Sequence, residues 1–437
     1  MLIDRYGNPA STQSQEALDK YNDALELIRL YRGDPVAALD AALTEDPDFG
    51  GAWAARAGLL VQATDKACAE ELDKSLRAGA ASNLTERDRL HLAAAGAWAA
   101  GDYQAAVTHY GRVAQEHPRD LLALQYAHLG CFFLGLQHEL RDWPLQTMRA
   151  FSKGDDGYGA LLGMAAFGLE ECGDYVRAEA LGREGVEIDG RDAWSAHAVA
   201  HVNEMRGDSD EGMHWLNASS AGWADSGFAY HNWWHLALLH LDRDAPQDAL
   251  TLYDAKVQPA ADSQIVQEWI DGSALLWRLH LDGVNCGERF SKMADLWSRA
   301  AEDGYYAFND LHAIMAFIGA GRTKDVERTL RAMRAAAQEN GANAYMTRAV
   351  GLPLAEAFVD FAAGRNAACV EKIGSVRGIA QRFGGSHAQR DIISLTALHA
   401  ATRAGMRQTA DAFASERLTH KPHSPWARRL MKQAEAA

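Results

Sequence analysis

The chain has 437 residues, 48% hydrophobic and 23% charged, the proportions of an ordinary globular protein with room for a large core or a long repeat array. Its 59 acidic residues against 43 basic ones give a net charge of −16, which sets nucleic acid aside as a default partner because phosphate binding needs a basic surface. The five cysteines (Cys68, Cys131, Cys172, Cys286 and Cys369) contain no CxxC pair, so neither a disulfide framework nor a cysteine zinc site is indicated.

Alanine and leucine abound, strand-like alternation is nearly absent, and glycines recur at helix ends, which predicts an all-α chain. The glycine that closes the first helix of a tetratricopeptide-like hairpin sets the register. Residues 1–18 read as an N-terminal arm without the basic and apolar segments of a signal peptide. Gly33 closes a unit beginning near Asp19, with the small residue Ala38 where the two helices cross. Residues 50–86 hold an irregular helix pair, and Gly101 gives a clean unit over 87–120. Gly135 follows 34 residues later, but the segment from Gln137 to Pro144 reads as a replacement for its second helix. Gly173 and Gly207 are again 34 apart, and Gly283, Gly321, Gly364 and Gly405 mark looser pairs spaced by 38 to 43 residues.

A hairpin of this kind cannot bury its apolar face alone, so the pairs are expected to stack into an α/α superhelical solenoid. The expected plan is one domain, with N-terminal repeats over 19–158, central repeats over 159–260, and C-terminal repeats and a cap over 261–437. The irregular spacing would let the superhelix close into a compact shape. Loops are expected at Gly154–Gly157, Ser219–Gly227 and Gly384–Ser386, and Lys421–Pro425 reads as a loop before a short basic cap. No run approaches the length of a membrane span, and a reducing cytoplasm is the simplest compartment.

The chemistry-bearing residues lie in the central repeats. His197, His201 and Glu204 stand at i, i+4 and i+7 and share one helix face. His231 and His235 follow His197 and His201 by 34 residues each, so successive repeat helices carry matching histidine pairs. In this register the five residues point to the concave surface. Helices packing about 8–10 Å apart and a rise of about 6 Å per i to i+4 step bring them into one small volume. Three uses remain open: polar packing, ligation of a divalent metal (zinc, iron or manganese), and acid–base or ligand-binding work without a metal. HxxxH spacing suits a metal, but the HExxH glutamate is missing.

Further candidates for substrate contacts are Trp233 as an apolar wall, Asp310 and His312 at the start of a helix, and His387, Arg390 and Asp391 on one face of the last long helix. Asp310 can equally serve as a helix N-cap, and Arg390 can clamp a carboxylate or phosphate. Dinucleotide fingerprints, P-loops, GxSxG elbows and kinase motifs are absent.

Met164–Gly173, Arg191–His201 with its HAVAH run, His231–Leu238 with its HNWWH run, Phe308–Ala313 and Ser386–Asp391 resemble the tetratricopeptide repeat protein 38 family. The resemblance extends over nearly the whole chain from about residue 20. It implies an α/α solenoid and leaves the activity open. Two functional expectations follow. One is a small-molecule enzyme of hydrolase or lyase type that uses the histidines in a concave pocket. The other is a non-catalytic scaffold that binds a peptide or partner protein. Neither needs nucleic acid or membrane, and a homodimer is compatible with both.

Overall fold

The computed structural model describes residues 2–436, and the chain is all-α, as its periodicity predicts. Consecutive helices pair across short turns: Gln15–Leu30 with Pro35–Glu45, Tyr158–Glu171 with Tyr175–Ile188, Ala193–Arg206 with Ser209–Trp223, Ala307–Gly319 with Thr323–Ala336, and His387–Arg403 with Arg407–His420. Two isolated bridges, Ile3 with Pro9 and Phe49 with Asn83, are the extended pairings among the described residues.

The turns explain why the register is visible. Each glycine used to set it adopts a left-handed conformation, from φ 56° at Gly33 to φ 82° at Gly101. A side chain at such a position costs roughly 1–2 kcal/mol, so glycine is the default residue where a helix must stop abruptly. The turn after Ala229–Asp242 has no glycine, and Asp244 takes φ 62° in its place. That helix ends two residues beyond the position 34 after Arg206.

Two local expectations fail. Gln137–Thr147 is a helix despite Pro144 in its interior. Proline removes the bond to the Leu140 carbonyl, but the helix is held by packing: a Cβ at Gly168 would lie 2.3 Å from that oxygen. The presumed loop Ser219–Gly227 is helical as far as Trp223, which is fully buried and donates from Nε1 to Ser219 Oγ at 3.0 Å.

The chain divides into two compact units, Met1–Val199 with Ala218–Ala229, and Ala200–Asn217 with Tyr230–Ala437. In the first, the arm folds inward: buried Asp4 accepts from Arg87 at 3.2 Å, and Arg87 also reaches Asp120 at 3.0 Å. In the second, Trp277 donates to Thr396 Oγ1 at 3.0 Å and Trp297 to Ser273 Oγ at 2.9 Å, fixing the helix Val266–Leu281 against its neighbours. The loop at Lys421 is no surface element: Lys421 is 5% exposed, and its backbone lies against the turn at Gly207.

That contact gives a test of the turns. A Cβ at Gly207 would sit 3.1 Å from Lys421 Cα, whereas one at Gly101 meets nothing within 4 Å. Gly101→Ala should cost about 1 kcal/mol from left-handed strain alone, and Gly207→Ala roughly 1 kcal/mol more because backbone must move. Urea denaturation of both variants measures the difference, and equal losses would remove the close approach at Lys421 from the explanation.

Candidate functional site

The helices Ala193–Arg206 and Ala229–Asp242 run unbroken and carry the matched histidines. His201 and His235 are fully buried, His197 is 2% and His231 8% exposed, and Glu204 is 1% exposed. One nitrogen of each of His201, His231 and His235 lies within 4.8 Å of the others, and His197, one turn before His201 on the same helix, completes a buried group able to hold a metal ion. The ring centroids of His201 and His235 are 4.4 Å apart, and those of His231 and His235 are 4.8 Å apart.

Two carboxylates set the ring orientations. His235 Nδ1 donates to Glu204 Oε2 at 2.9 Å, and His231 Nδ1 donates to Asp271 Oδ2 at 2.6 Å. A hydrogen bond from Nδ1 to a carboxylate fixes the tautomer and presents Nε2 as the basic edge of each ring. Burial pushes the His235 pKa well below the usual histidine value, and the neighbouring His201, His231, Arg278 and Lys421 lower it further. His235 is therefore held as a neutral imidazole, the form that both ligates metals and accepts protons.

A ring of buried charges surrounds the pair. Lys421 Nζ lies 2.6 Å from Asp242 Oδ2 and 3.6 Å from Glu204 Oε1. Arg417 reaches Asp391 at 2.6 Å and Asp242 at 3.8 Å. Burial pushes the Asp391 pKa up, but Arg417, Lys421 and Arg278 outweigh it and bring the carboxyl to about 2. Arg278, 1% exposed, donates to the carbonyls of Ala274 at 3.1 Å and Ala388 at 2.6 Å, with its guanidinium 5.4 Å from the centre of the Trp234 ring. Trp234 lies parallel to His231 at 5.2 Å.

The sequence-predicted residues distribute unevenly around this cluster. His197, His201, Glu204, His231 and His235 converge. Asp391 joins through its ion pair with Arg417. His312 lies within the field of Arg278; its Nδ1 donates to the Phe308 carbonyl at 2.8 Å, and burial, together with that cation, lowers its pKa to about 4. Arg390 donates instead to the Gly385 carbonyl, and His387 is exposed beside the Ser386 capping box. Trp233 is half-buried with Lys256 at 5.4 Å from its ring centre, and the tryptophan stacked on a site histidine is Trp234. Asp310 is no N-cap: Tyr306 occupies that position and Asp310 lies inside the first turn.

Sequence reasoning did not find Asp271, Arg278, Asp242, Arg417 or Lys421. The signal available was a charge inside an apolar helical run, as in Ala274-Leu275-Leu276-Trp277-Arg278-Leu279. A charge there must have a buried partner. No protein-family model matches the chain. All five cysteines are free thiols, and no helix among the described residues is long and apolar enough to cross a membrane.

Asp310 supplies a pH test. It is 5% exposed with Oδ2 unpartnered, and burial, reinforced by the charge of Asp303, raises its pKa to about 8. The unfolded chain releases this proton near pH 4, so between about pH 4 and 8 the native state holds one proton more, and its stability falls as pH rises. Asp310→Asn removes that slope. The variant should gain melting temperature relative to the parent between pH 5 and pH 9, by the equivalent of about 1 kcal/mol or more. A pH-independent difference would show that Asp310 is ionised at neutral pH.

Proposed function

We propose that the chain is a metal-dependent enzyme of hydrolase or lyase type acting on a small molecule, with His201, His231 and His235 as metal ligands. The observation that carries this reading is the pair of carboxylate–imidazole contacts, Asp271 to His231 and Glu204 to His235. Metal-bound histidines characteristically give their second nitrogen to a carboxylate, and three protein ligands leave a coordination position for water or substrate. Imidazole donors suit zinc or iron better than manganese. Such an ion supplies a Lewis acid and an activated water. His197, boxed by Phe167 at 5.3 Å, Trp194 at 5.0 Å and Phe228 at 5.1 Å, is the further nitrogen that completes or orients the group. His231, the most exposed of the four, marks the side open to a substrate.

The buried state of the imidazoles favours a small molecule over a peptide groove, which would present such side chains to solvent. The hairpin register and the HAVAH and HNWWH runs support placing the chain with the tetratricopeptide repeat protein 38 family, and membership is part of this proposal. One observation favours a metal-free version: Arg278 and Lys421 both lie close enough to His235 to depress its basicity, and two fixed cations oppose a third. In that version the same two carboxylate–imidazole pairs act as general bases.

Elemental analysis of the purified full-length chain separates the versions. About one equivalent of zinc or iron per chain is expected, and less than about 0.1 equivalent would end the metal reading. Glu204→Gln should weaken metal retention roughly 10- to 100-fold with helicity preserved, because the ring loses its orienting carboxylate. His201→Ala should abolish retention while leaving the circular dichroism spectrum unchanged. A variant that merely melts at lower temperature and keeps its metal would assign His201 to packing.

A further inference from the structure

A second polar centre lies wholly within the first unit and is independent of the imidazole cluster. It is a cavity of about 460 Å³ whose lining includes Tyr6, Arg29, His128, Asp192 and Trp194 alongside apolar Leu25, Leu121 and Met164. Its polar side chains are buried: Tyr6 is 3% exposed, Arg29 8%, His128 2%, Asp192 1% and Trp194 7%.

The hydrogen-bond accounting of these groups is one-sided. Tyr6 Oη, Arg29 Nε and Trp194 Nε1 are buried without a partner. The nearest carboxylates to Arg29, Asp156 at 3.7 Å and Asp189 at 3.6 Å, balance its charge from beyond hydrogen-bonding distance. Asp192 is satisfied as a cap: it accepts from the amides of Trp194 and Ser195 at 3.0 Å each and from Ser195 Oγ at 2.7 Å. Burial lowers the pKa of His128 to about 3, so it adds no second cation. The cavity therefore offers a guanidinium, an indole N–H and a phenol with no acceptor to receive them. A buried donor left unmade costs about 1–3 kcal/mol, more for a charged group, so three in one cavity call for oxygen atoms from outside the chain.

We infer that this cavity is a binding site for a small organic carboxylate, its carboxylate oxygens held by Arg29 with Tyr6 and Trp194 and its apolar chain against Leu25, Leu121 and Met164. Guanidinium and carboxylate match in geometry and charge. A dianion such as phosphate fits badly, because its second charge would sit among Asp156, Asp189 and Asp192. A plain alcohol offers one oxygen where the cavity presents three donors.

Calorimetric titration of the full chain with hexanoate, hexan-1-ol and inorganic phosphate tests the assignment. Hexanoate should saturate at one site per chain, with hexanol and phosphate at least about tenfold weaker. Arg29→Gln should weaken hexanoate by about tenfold or more. Should Arg29→Gln fail to fold, Tyr6→Phe and Trp194→Phe decide the matter, since each removes one donor and should cost roughly two- to tenfold. His201→Ala should bind hexanoate as the parent does. No saturable hexanoate binding, equal binding of hexanol, or folded donor variants that bind as tightly as the parent would each overturn the site and assign the cavity to water.

Discussion

The second unit depends on a single constraint: an imidazole or a carboxylate removed from water must meet its complement. His235 and Glu204, His231 and Asp271 do so at hydrogen-bond distance with exposures between 0% and 8%. Glu204 is in turn approached by Lys421, Lys421 by Asp242, Asp242 by Arg417 and Arg417 by Asp391. Removing one member of such a chain leaves an uncompensated buried charge, a loss commonly of 3–5 kcal/mol that exceeds what the intact pair contributes. The network therefore specifies an arrangement more than it stabilises one. It also explains why the segment after the helix Arg407–His420 turns inward, for Lys421 has its counter-charges there and Ser424 Oγ donates to the Asp242 carbonyl at 3.0 Å.

The hairpin period makes that arrangement possible. Two helices whose histidines recur at 34 residues present equivalent faces, and i to i+4 spacing stacks two rings on each. The turns keep the faces in register. At Gly207 the left-handed turn also leaves room for the Lys421 backbone, so one residue both ends a helix and admits the cation that faces Glu204. Asp244 shows that the turn tolerates a non-glycine residue where a side chain has a use: its carboxylate accepts from Arg429 Nε at 2.8 Å.

What was legible in the sequence followed from periodicity. Helices, turns and the convergence of His197, His201, Glu204, His231 and His235 all repeat at a fixed spacing, and such spacings translate directly into faces. Asp271, Arg278 and Lys421 obey no repeat. Their places are set by long-range packing, 40 residues separating Asp271 from His231 and 179 separating Lys421 from Asp242. The choice between Trp233 and Trp234 turned on about 100° of helix rotation, which neighbouring positions in an apolar run do not resolve. Gln137–Thr147 was misread because proline propensity is a local prior, and packing against Gly168 overrode it.

The two polar centres differ in how they meet the same desolvation cost, and the difference bears on what each can do. In the imidazole cluster the carboxylates already satisfy one edge of His231 and of His235, so an incoming group finds rings oriented and neutral rather than charges in need of neutralisation. That is preorganisation for chemistry, where fixed partners lower the reorganisation accompanying charge development. In the cavity beside Arg29 the counter-charges stand 3.6 and 3.7 Å away, and three donors lack acceptors. There the protein holds an unmet requirement instead of a completed one, and the group that meets it is stabilised by the hydrogen bonds the empty cavity lacks. Completed pairing is what a reaction centre needs to stay neutral and oriented through a turnover. Incomplete pairing is what a binding site needs to distinguish a ligand with several oxygen acceptors from one with few, because discrimination is largest where the wrong ligand leaves buried donors unmade.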